Sequence, residues 1–414
     1  MPFSRINLHV LRVAGVALTA LAAASPAAIA GGFDIHEQST VFMGSASAGS
    51  AAGGSLGSMF WNSAATAQFP GLNTESSYIL VLPYGNIDID HSPFGLTGSS
   101  GNIGIDAMTS SSYGAYQLSP DFWVGMAINS PFGLATKPNN TAYPGSYLGV
   151  TSKLLTVNAN PTVAYRIAPG ITIGAGVQIE WAQGKLQFRD SPGTIAQFGG
   201  TDWAFGGTAG ITLQPNEGTT IGLGYRSQMT HDLDGSFTSL MTGTMPGVGT
   251  INLPDIVTLS LRQVVTPTTR LLGTVQWSNW SRFKDLTLAI PVGDLKTAAN
   301  WDDGWFFSIG GEYDYSPYLT LRSGIAYEMS PIDDASKRLV QIPDNNRIWL
   351  SVGASYAWSE AMTIDLAYSH IFIEDGGVDL YTTSTPVMPG GVGPFTGNVQ
   401  ASVDLFSVGL RTKW

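Results

Sequence analysis

Cysteine is absent from the 414 residues, which excludes a disulfide framework, a thiolate metal site and a cysteine nucleophile. Charge is scarce as well: Asp, Glu, Lys and Arg make up 12% of the chain, about half the share of an ordinary soluble domain. Basic residues number 19 against 30 acidic ones, for a net charge of -11. With no Lys/Arg cluster to offset it, that balance argues against a nucleic-acid partner. Long apolar runs are missing too. Past the first thirty residues no window reaches the roughly 18 consecutive apolar residues of a membrane helix, although 43% of the chain is hydrophobic. His36, His91, His231 and His370 are scattered without ligand spacing, so neither a metal site nor a cofactor site is legible.

What is present begins with a leader. Arg5, His9 and Arg12 flank an apolar run from Val13 to Ala23, and Ala28-Ile29-Ala30 is a small-x-small cleavage site. Residues 1–30 therefore read as a secretory signal peptide. The stretch from Gly31 to Pro70 is rich in Gly, Ala and Ser, and its Phe33, Ile35, Val41, Phe42, Met43, Met59, Phe60 and Trp61 hold no strand or helix period. Exposed aromatics gain nothing in water, so this stretch is expected to be enclosed by the remainder of the chain.

From Glu75 onward the chain falls into segments with period 2. Fourteen can be counted: 75–91, 109–118, 121–137, 151–168, 170–189, 201–215, 218–237, 251–265, 268–281, 303–316, 318–330, 345–358, 361–375 and 398–414. Ser119-Pro120, Pro169-Gly170, Pro215 to Gly218, Thr266-Pro267, Ser316-Pro317 and Ser359-Glu360 are short connections, and the others are expected to be long. Short turns on one rim and long loops on the other are the layout of an outer-membrane barrel, which closes to leave no unpaired edge in lipid. The fold expected is all-β, a transmembrane antiparallel β-barrel of about 14 strands over residues 73–414, with residues 31–72 as a hatch inside its lumen.

Alternation also sorts the faces. Ile171, Ile173, Val177, Ile179 and Trp181 face lipid on one segment, as do Trp305, Phe307, Ile309 and Tyr313 on another. The same register points Arg166, Arg226, Arg262, Arg322, Arg347 and Arg411 inward with Glu180, Glu312 and Asp365. These charges either line a wet pore or hold the hatch, since buried charges must be paired. Arg226, Glu312, Arg347 and Trp349 are taken as candidate lumen residues. The last segment, Phe406 to Trp414, alternates and ends on an aromatic, like the strand signal read by the barrel assembly machinery.

Asn129-Ser130-Pro131-Phe132-Gly133-Leu134-Ala135-Thr136, Gly224-Tyr225-Arg226-Ser227, Trp277 to Phe283 and Ile342 to Ser351 resemble the FadL/TodX family of outer-membrane long-chain fatty acid and hydrocarbon transporters. The resemblance implies a fourteen-stranded barrel, an N-terminal hatch and a lateral opening in the wall. Where the family's hatch carries Asn-Pro-Ala, this chain has Asn62-Ser63-Ala64, and a Ser there restores a backbone N–H and frees φ. Asn62 capping a short helix is the plainer reading. Two basic residues that the family uses near the fatty acid carboxylate correspond to Gln183 and Asp302, neither of them basic. Lys185 is near the first but shares the face of Trp181. The kink of the third strand falls on Asn129, Ser130, Pro131, Phe132 and Gly133, where proline removes a ladder donor and glycine relaxes the backbone.

Gly53-Gly54-Ser55-Leu56-Gly57 fits the pattern G-x-S-x-G, but no strand precedes it and no helix comes after it, so no catalytic serine is assigned. Asp302-Asp303 and Asp333-Asp334 read as solvated loop charges. The expected function is an outer-membrane channel, not an enzyme, that takes up fatty acids or neutral hydrocarbons by passive diffusion. An aqueous porin and a structural or adhesive barrel are the alternatives. The expected partners are a hydrophobic small molecule, outer-membrane lipid and lipopolysaccharide, and the barrel is expected to be a monomer.

Overall fold

The computed structural model describes residues 31–93, 95–191, 193–382 and 393–414. The leader at 1–30 lies outside the described residues.

Fourteen antiparallel strands track the period-2 segments in order. β1 is Leu72–His91, β2 Ala107–Ser119, and β3 runs Phe122–Asn129 and resumes at Gly133–Thr136. β4 is Thr151–Ala168, β5 Ile171–Ser191 and β6 Thr194–Asn216. β7 comprises Thr219–Arg226 and Met229–Ser239, β8 Gly243–Leu253 and Ile256–Thr266, and β9 Thr269–Ser278 and Asp285–Ala289. β10 comprises Leu295–Ala298 and Gly304–Ser316, and after it come β11 Leu319–Met329, β12 Arg347–Ala357, β13 Met362–Thr382 and β14 Gly393–Lys413. The sheet closes where β1 pairs with β14, from Asn73↔Lys413 to Ile89↔Gly397. The Trp414 N–H donates to the Leu72 carbonyl at 3.0 Å, so the terminal aromatic ends on the seam.

Two connections expected to be long are tight. β5 and β6 stay paired up to Ser191↔Thr194, and β7 and β8 up to Ser239↔Gly243. The outward positions there are polar or small, Gln183, Lys185 and Gln187 against Gln197, Gly199 and Thr201, so the strands continue past the lipid without an apolar face, and the stretch between the segments 170–189 and 201–215 looks like loop in sequence.

Exposed aromatics mark the two edges of the apolar band. Tyr315, Tyr318, Tyr356, Trp358 and Trp414 ring the short-turn end, and Trp203, Phe205, Trp305 and Phe372 the other. Ten residues separate Trp305 from Tyr315 on β10. At about 3.3 Å per residue on strands tilted about 40° that is roughly 25 Å, the height of a lipid-facing band.

Inside the barrel, the chain from Gly31 to Ala67 is buried almost throughout. It forms α1, Thr40–Met43, and 3-10 turns at Ser50–Ala52, Leu56–Phe60 and Ser63–Gln68. Inward glycines of the wall explain how it fits. A Cβ at Gly224 would overlap the Trp61 carbonyl oxygen, one at Gly222 the Ala51 carbonyl oxygen, and one at Gly174 the backbone between Ser63 and Ala64. Hatch backbone thus lies directly on wall backbone.

A carboxylate of the wall anchors the hatch. Glu75 accepts hydrogen bonds from Ser39 Oγ at 2.7 Å, from the Gly57 N–H at 3.1 Å and from Ser55 Oγ. Ser55, the serine of the G-x-S-x-G match, is therefore an anchor. Arg226 adds a cationic hold, donating to the Phe60 carbonyl at 3.1 Å with its guanidinium 4.3 Å from the Phe60 ring centre. Other luminal arginines meet carboxylates: Arg262, Arg270 and Arg322 converge on Glu312, Arg411 pairs with Asp365, and Arg347 with Asp344. Arg166 does not face the lumen. It is largely exposed, stacking over Trp123 beside Asp121 at the short-turn rim, because the alternation ends where the turn begins.

Candidate functional site: an aromatic pocket closed by the hatch beside a break in the wall

The β2–β3 ladder ends at Ser112↔Ile128, and the chain before β2 meets β3 again only at Gly104↔Thr136. Between those points β3 leaves its neighbour. On its other side it pairs with β4 as Asn129↔Asn158 and then as Gly133↔Leu155, so Ser130, Pro131 and Phe132 lie opposite two residues and form a bulge. Thr156 covers the bulge. Its hydroxyl accepts from the Phe132 N–H at 3.1 Å and donates to the Phe132 carbonyl at 2.7 Å.

The hatch replaces the missing strand. Asp34 pairs with Phe132, the Ile35 N–H donates to the Pro131 carbonyl at 2.8 Å, and the Gly133 N–H donates to the Phe33 carbonyl at 3.0 Å. Gln38 adds a bond from Nε2 to the Ser130 carbonyl at 2.8 Å. Its own carbonyl accepts from Ser111 and Tyr113 of β2, at 2.6 and 2.8 Å. Each edge of the break is thus tied to the same few hatch residues.

Phe33 is the other half of the site. Its ring centre is 4.6 Å from Trp280, 5.5 Å from Phe283, 5.9 Å from Trp301 and 6.4 Å from Phe132. Gly32 has φ +67, and a Cβ there would come within 2.7 Å of the Trp301 ring, so the approach of Phe33 to this cluster depends on glycine. The Gly32 N–H is fixed by the Asp344 carboxylate at 2.9 Å. Beside Phe33 the lumen is apolar, with Leu134, Leu154, Phe198, Leu233, Leu288 and Ile342 around a cavity of about 80 Å³. Pockets that enclose small molecules usually run to about 300–1,000 Å³. The site as it stands is closed, and a ligand of any length needs Phe33 to withdraw.

Below Phe33 a buried charged group fixes the hatch. His36 lies 3.8 Å from Asp34 and 3.5 Å from Glu328, stacked on Phe306 with ring centres 4.5 Å apart. Burial alone would lower the His36 pKa, but Asp34 and Glu328 outweigh it and raise it to about 9. Burial raises Asp34 to about 6 and Glu37 to about 7. Trp349 donates from Nε1 to Glu328 at 3.0 Å, and Arg347 is wholly buried against Asp344.

The other candidate residues are dispersed. Asn62 caps the turn Ser63–Gln68 by accepting from the Ala64 N–H at 2.9 Å, and its Nδ2 donates to Ala51 and Ile211 carbonyls at 2.8 and 3.1 Å. Ser63 hydrogen-bonds Thr208 at 2.8 Å. Gln183 is not in the lumen. It is exposed on the outer face, because it shares the parity of Trp181 and Lys185. Asp302 is exposed in the outer loops, and a hydrogen bond from Lys337 holds its carboxyl below the usual range. Lys337 also lies 2.8 Å from Asp333. Glu312 belongs to the charged group near the short-turn end, far along β10 from Trp305. The sequence assigns no site role to the pocket aromatics Trp280, Phe283 and Trp301, although a dense run of aromatics at the end of an alternating segment and beyond it is a signal of burial.

Residues 21–414 match the profile of a family described as outer membrane protein transport protein (OMPP1/FadL/TodX). The long-chain fatty acid transport protein of Escherichia coli (strain K12) is 28% identical over 404 residues, 85% of this chain and 90% of the relative. Outer membrane protein P1 of Haemophilus influenzae is 26% identical over 411 residues, 85% of this chain and 88% of the relative. Among solved structures, a Pseudomonas aeruginosa FadL homologue superimposes with a TM-score of 0.84 at 20% identity, covering 92% of this chain and 99% of its own. The Ralstonia pickettii toluene transporter TbuX reaches 0.66 at 20% identity over 92% and 100%. The two structures share the fold. The chain belongs to the FadL/TodX family of outer-membrane transport proteins, and its place is the bacterial outer membrane.

Proposed function

We propose that this protein is a passive channel for neutral hydrophobic molecules, which enter the aromatic pocket from the outer loops and leave sideways between β2 and β3 when the hatch withdraws. The observation that carries this reading is Phe33: one hatch residue fills the pocket with its ring and, through its carbonyl, pairs with the bulged strand that borders the break. Movement of that residue empties the pocket and unties the wall together. Each buried CH₂ contributes about 0.8 kcal/mol, so an apolar pocket binds a hydrocarbon without a polar handle.

The chemistry of the pocket favours neutral substrates over carboxylates. Gln183 lies outside the barrel, and Lys337, the cation near Trp301, is already engaged by Asp302 and Asp333. Lys153 and Lys185 border the cavity as well, but they share the outward parity of Gln183 on the wall. Titration of a long-chain fatty acid, its matched alcohol and its matched alkane against the purified protein tests this. Affinity is expected to track chain length, with the acid and the alcohol alike. A preference for the acid above about 2 kcal/mol, the scale of a charge-assisted hydrogen bond, would assign the pocket to fatty acids. An aqueous porin would conduct ions steadily at rest in planar bilayers, whereas the hatch predicts little conductance.

A further inference from the structure

We infer that Lys153 and Lys185 form a seat on the outer wall for the phosphate groups of the glycolipid in the outer leaflet. The site lies outside the barrel and does not depend on the uptake reading.

The two lysines are direct partners in the β4–β5 ladder. Like charges placed directly opposite destabilise a sheet, and an anion bound between them removes that cost. Among the described residues, the lysines with a carboxylate within 4.0 Å are Lys296 and Lys337. Lys153 and Lys185 have none. The next residue along the row is Gly199, paired with Lys185. A Cβ at that position would have nothing closer than 4.0 Å, so the wall is dented beside the lysines. A hollow of about 470 Å³ results, lined also by Gln183, Gln197, Thr201 and Ser236, all able to hydrogen-bond phosphate oxygens. Asp234 is the one carboxylate lining it, against two ammonium groups.

Depth supports the same ligand. Trp181 and Trp203 are paired across β5 and β6 at the upper edge of the apolar band. Lys185 is four residues further along β5, about 9 Å higher at 3.3 Å per residue on strands tilted about 45°. The polar layer of a bilayer leaflet is roughly 5–8 Å thick. Lys185 therefore stands at the outer limit of that layer, and its flexible stem lets the ammonium group reach down to the phosphates of a glycolipid whose acyl chains lie against the wall below Trp181. A carboxylate substrate lacks that fixed depth.

The test measures binding of fluorescent rough-type lipopolysaccharide to the detergent-purified full chain. The pair Lys153→Gln with Lys185→Gln is expected to weaken binding about tenfold, the scale of a lost charge-assisted contact. The pair Lys153→Arg with Lys185→Arg should retain it, and dephosphorylated lipopolysaccharide should bind wild type and the Gln pair alike. Heat-modifiable electrophoretic mobility reports the folded barrel, and Lys185→Gln alone should give an intermediate loss if the double variant does not fold. Equal affinity of wild type and Gln variants for the phosphorylated glycolipid would overturn the assignment. Competition by inorganic phosphate as effective as by the glycolipid would overturn the lipid as the occupant.

Discussion

Asp34 of the hatch and Phe132 of β3 are partners in an antiparallel bridge, flanked on each side by one backbone hydrogen bond. Such a non-hydrogen-bonded pair brings Cα atoms to about 4.5 Å, within the reach of a disulfide. The chain has no cysteine of its own, so Asp34→Cys with Phe132→Cys introduces a single possible crosslink. The oxidised protein should fail to take up hydrocarbon and the reduced protein should recover. Equal uptake in the two forms would separate hatch movement from transport.

Truncating the plug of the pocket should have the opposite effect. Phe33 touches four aromatic rings, and removing a buried Phe side chain costs about 3–5 kcal/mol. Phe33→Ala should raise both hydrocarbon uptake and single-channel conductance, since the ring closes the pocket and stabilises the closed hatch. Lower uptake with normal folding would mean that Phe33 guides the substrate rather than blocks it.

Glu75 is the next place to loosen the hatch without touching the pocket. Glu75→Ala strands the Ser39 and Ser55 hydroxyls and the Gly57 N–H, at about 1–3 kcal/mol for each buried group left unpaired. Limited proteolysis should then cut within 31–70, while the barrel keeps its heat-modifiable mobility. Arg226→Ala, which removes a hatch bond of its own, serves as the comparison.

The strands were legible because lipid on one face and a filled lumen on the other impose period 2 on each crossing. Where the wall rises beyond lipid, between the alternating segments 170–189 and 201–215, that contrast vanishes and the sequence looks like loop, although the strands stay paired to Ser191↔Thr194. The hatch was legible as a buried segment from Phe33, Phe60 and Trp61, but its anchors were not. Glu75 is three positions into β1 and reads like any luminal carboxylate, and the bonds it accepts come from Ser39, Ser55 and Gly57, none of which stands out in a small-residue stretch. The pocket draws Trp280 and Trp301 from loops and Leu154 and Phe198 from distant strands, contacts that only the closed barrel creates.

The protons of the hatch give a pH dependence of definite sign. His36 is raised to about 9, so the docked hatch holds a proton that the released segment would lose near its ordinary pKa. Docking is fully supported below about pH 6.5 and weakens as the pH climbs toward 9. Asp34 and Glu37, raised to about 6 and 7, act in the same direction at lower pH, because each docked carboxyl binds its proton more tightly. The charged groups acting on these residues are Glu328, Arg226 and Arg347, with Asp344 beside Arg347. Proteolysis within 31–70 should therefore speed up between pH 6.5 and 9. His36→Gln should make the rate nearly flat over that range, and an unchanged profile in that variant would place the titrating group elsewhere.

The route through the wall rests on the extra residue in β3. Ser130 to Phe132 oppose two residues of β4, and the ladder with β2 has already ended at Ile128. In hydrocarbon an unpaired backbone group costs several kcal/mol, so a break persists only where it lines a cavity or passage. Pro131 is about ten residues beyond the turn at Pro120, close to the upper edge of the apolar band, so the break opens at the outer boundary of the membrane. Deleting Pro131 and replacing Ser130 with Thr and Gly133 with Val removes the extra residue and restores β-formers, so β3 should regain the register of β2 and seal the wall. Uptake of hydrocarbon should fall sharply while binding to the pocket, measured by quenching of the Trp280 and Trp301 fluorescence, persists. A variant that folds, binds and still transports at the original rate would remove the lateral path and direct the substrate past the hatch.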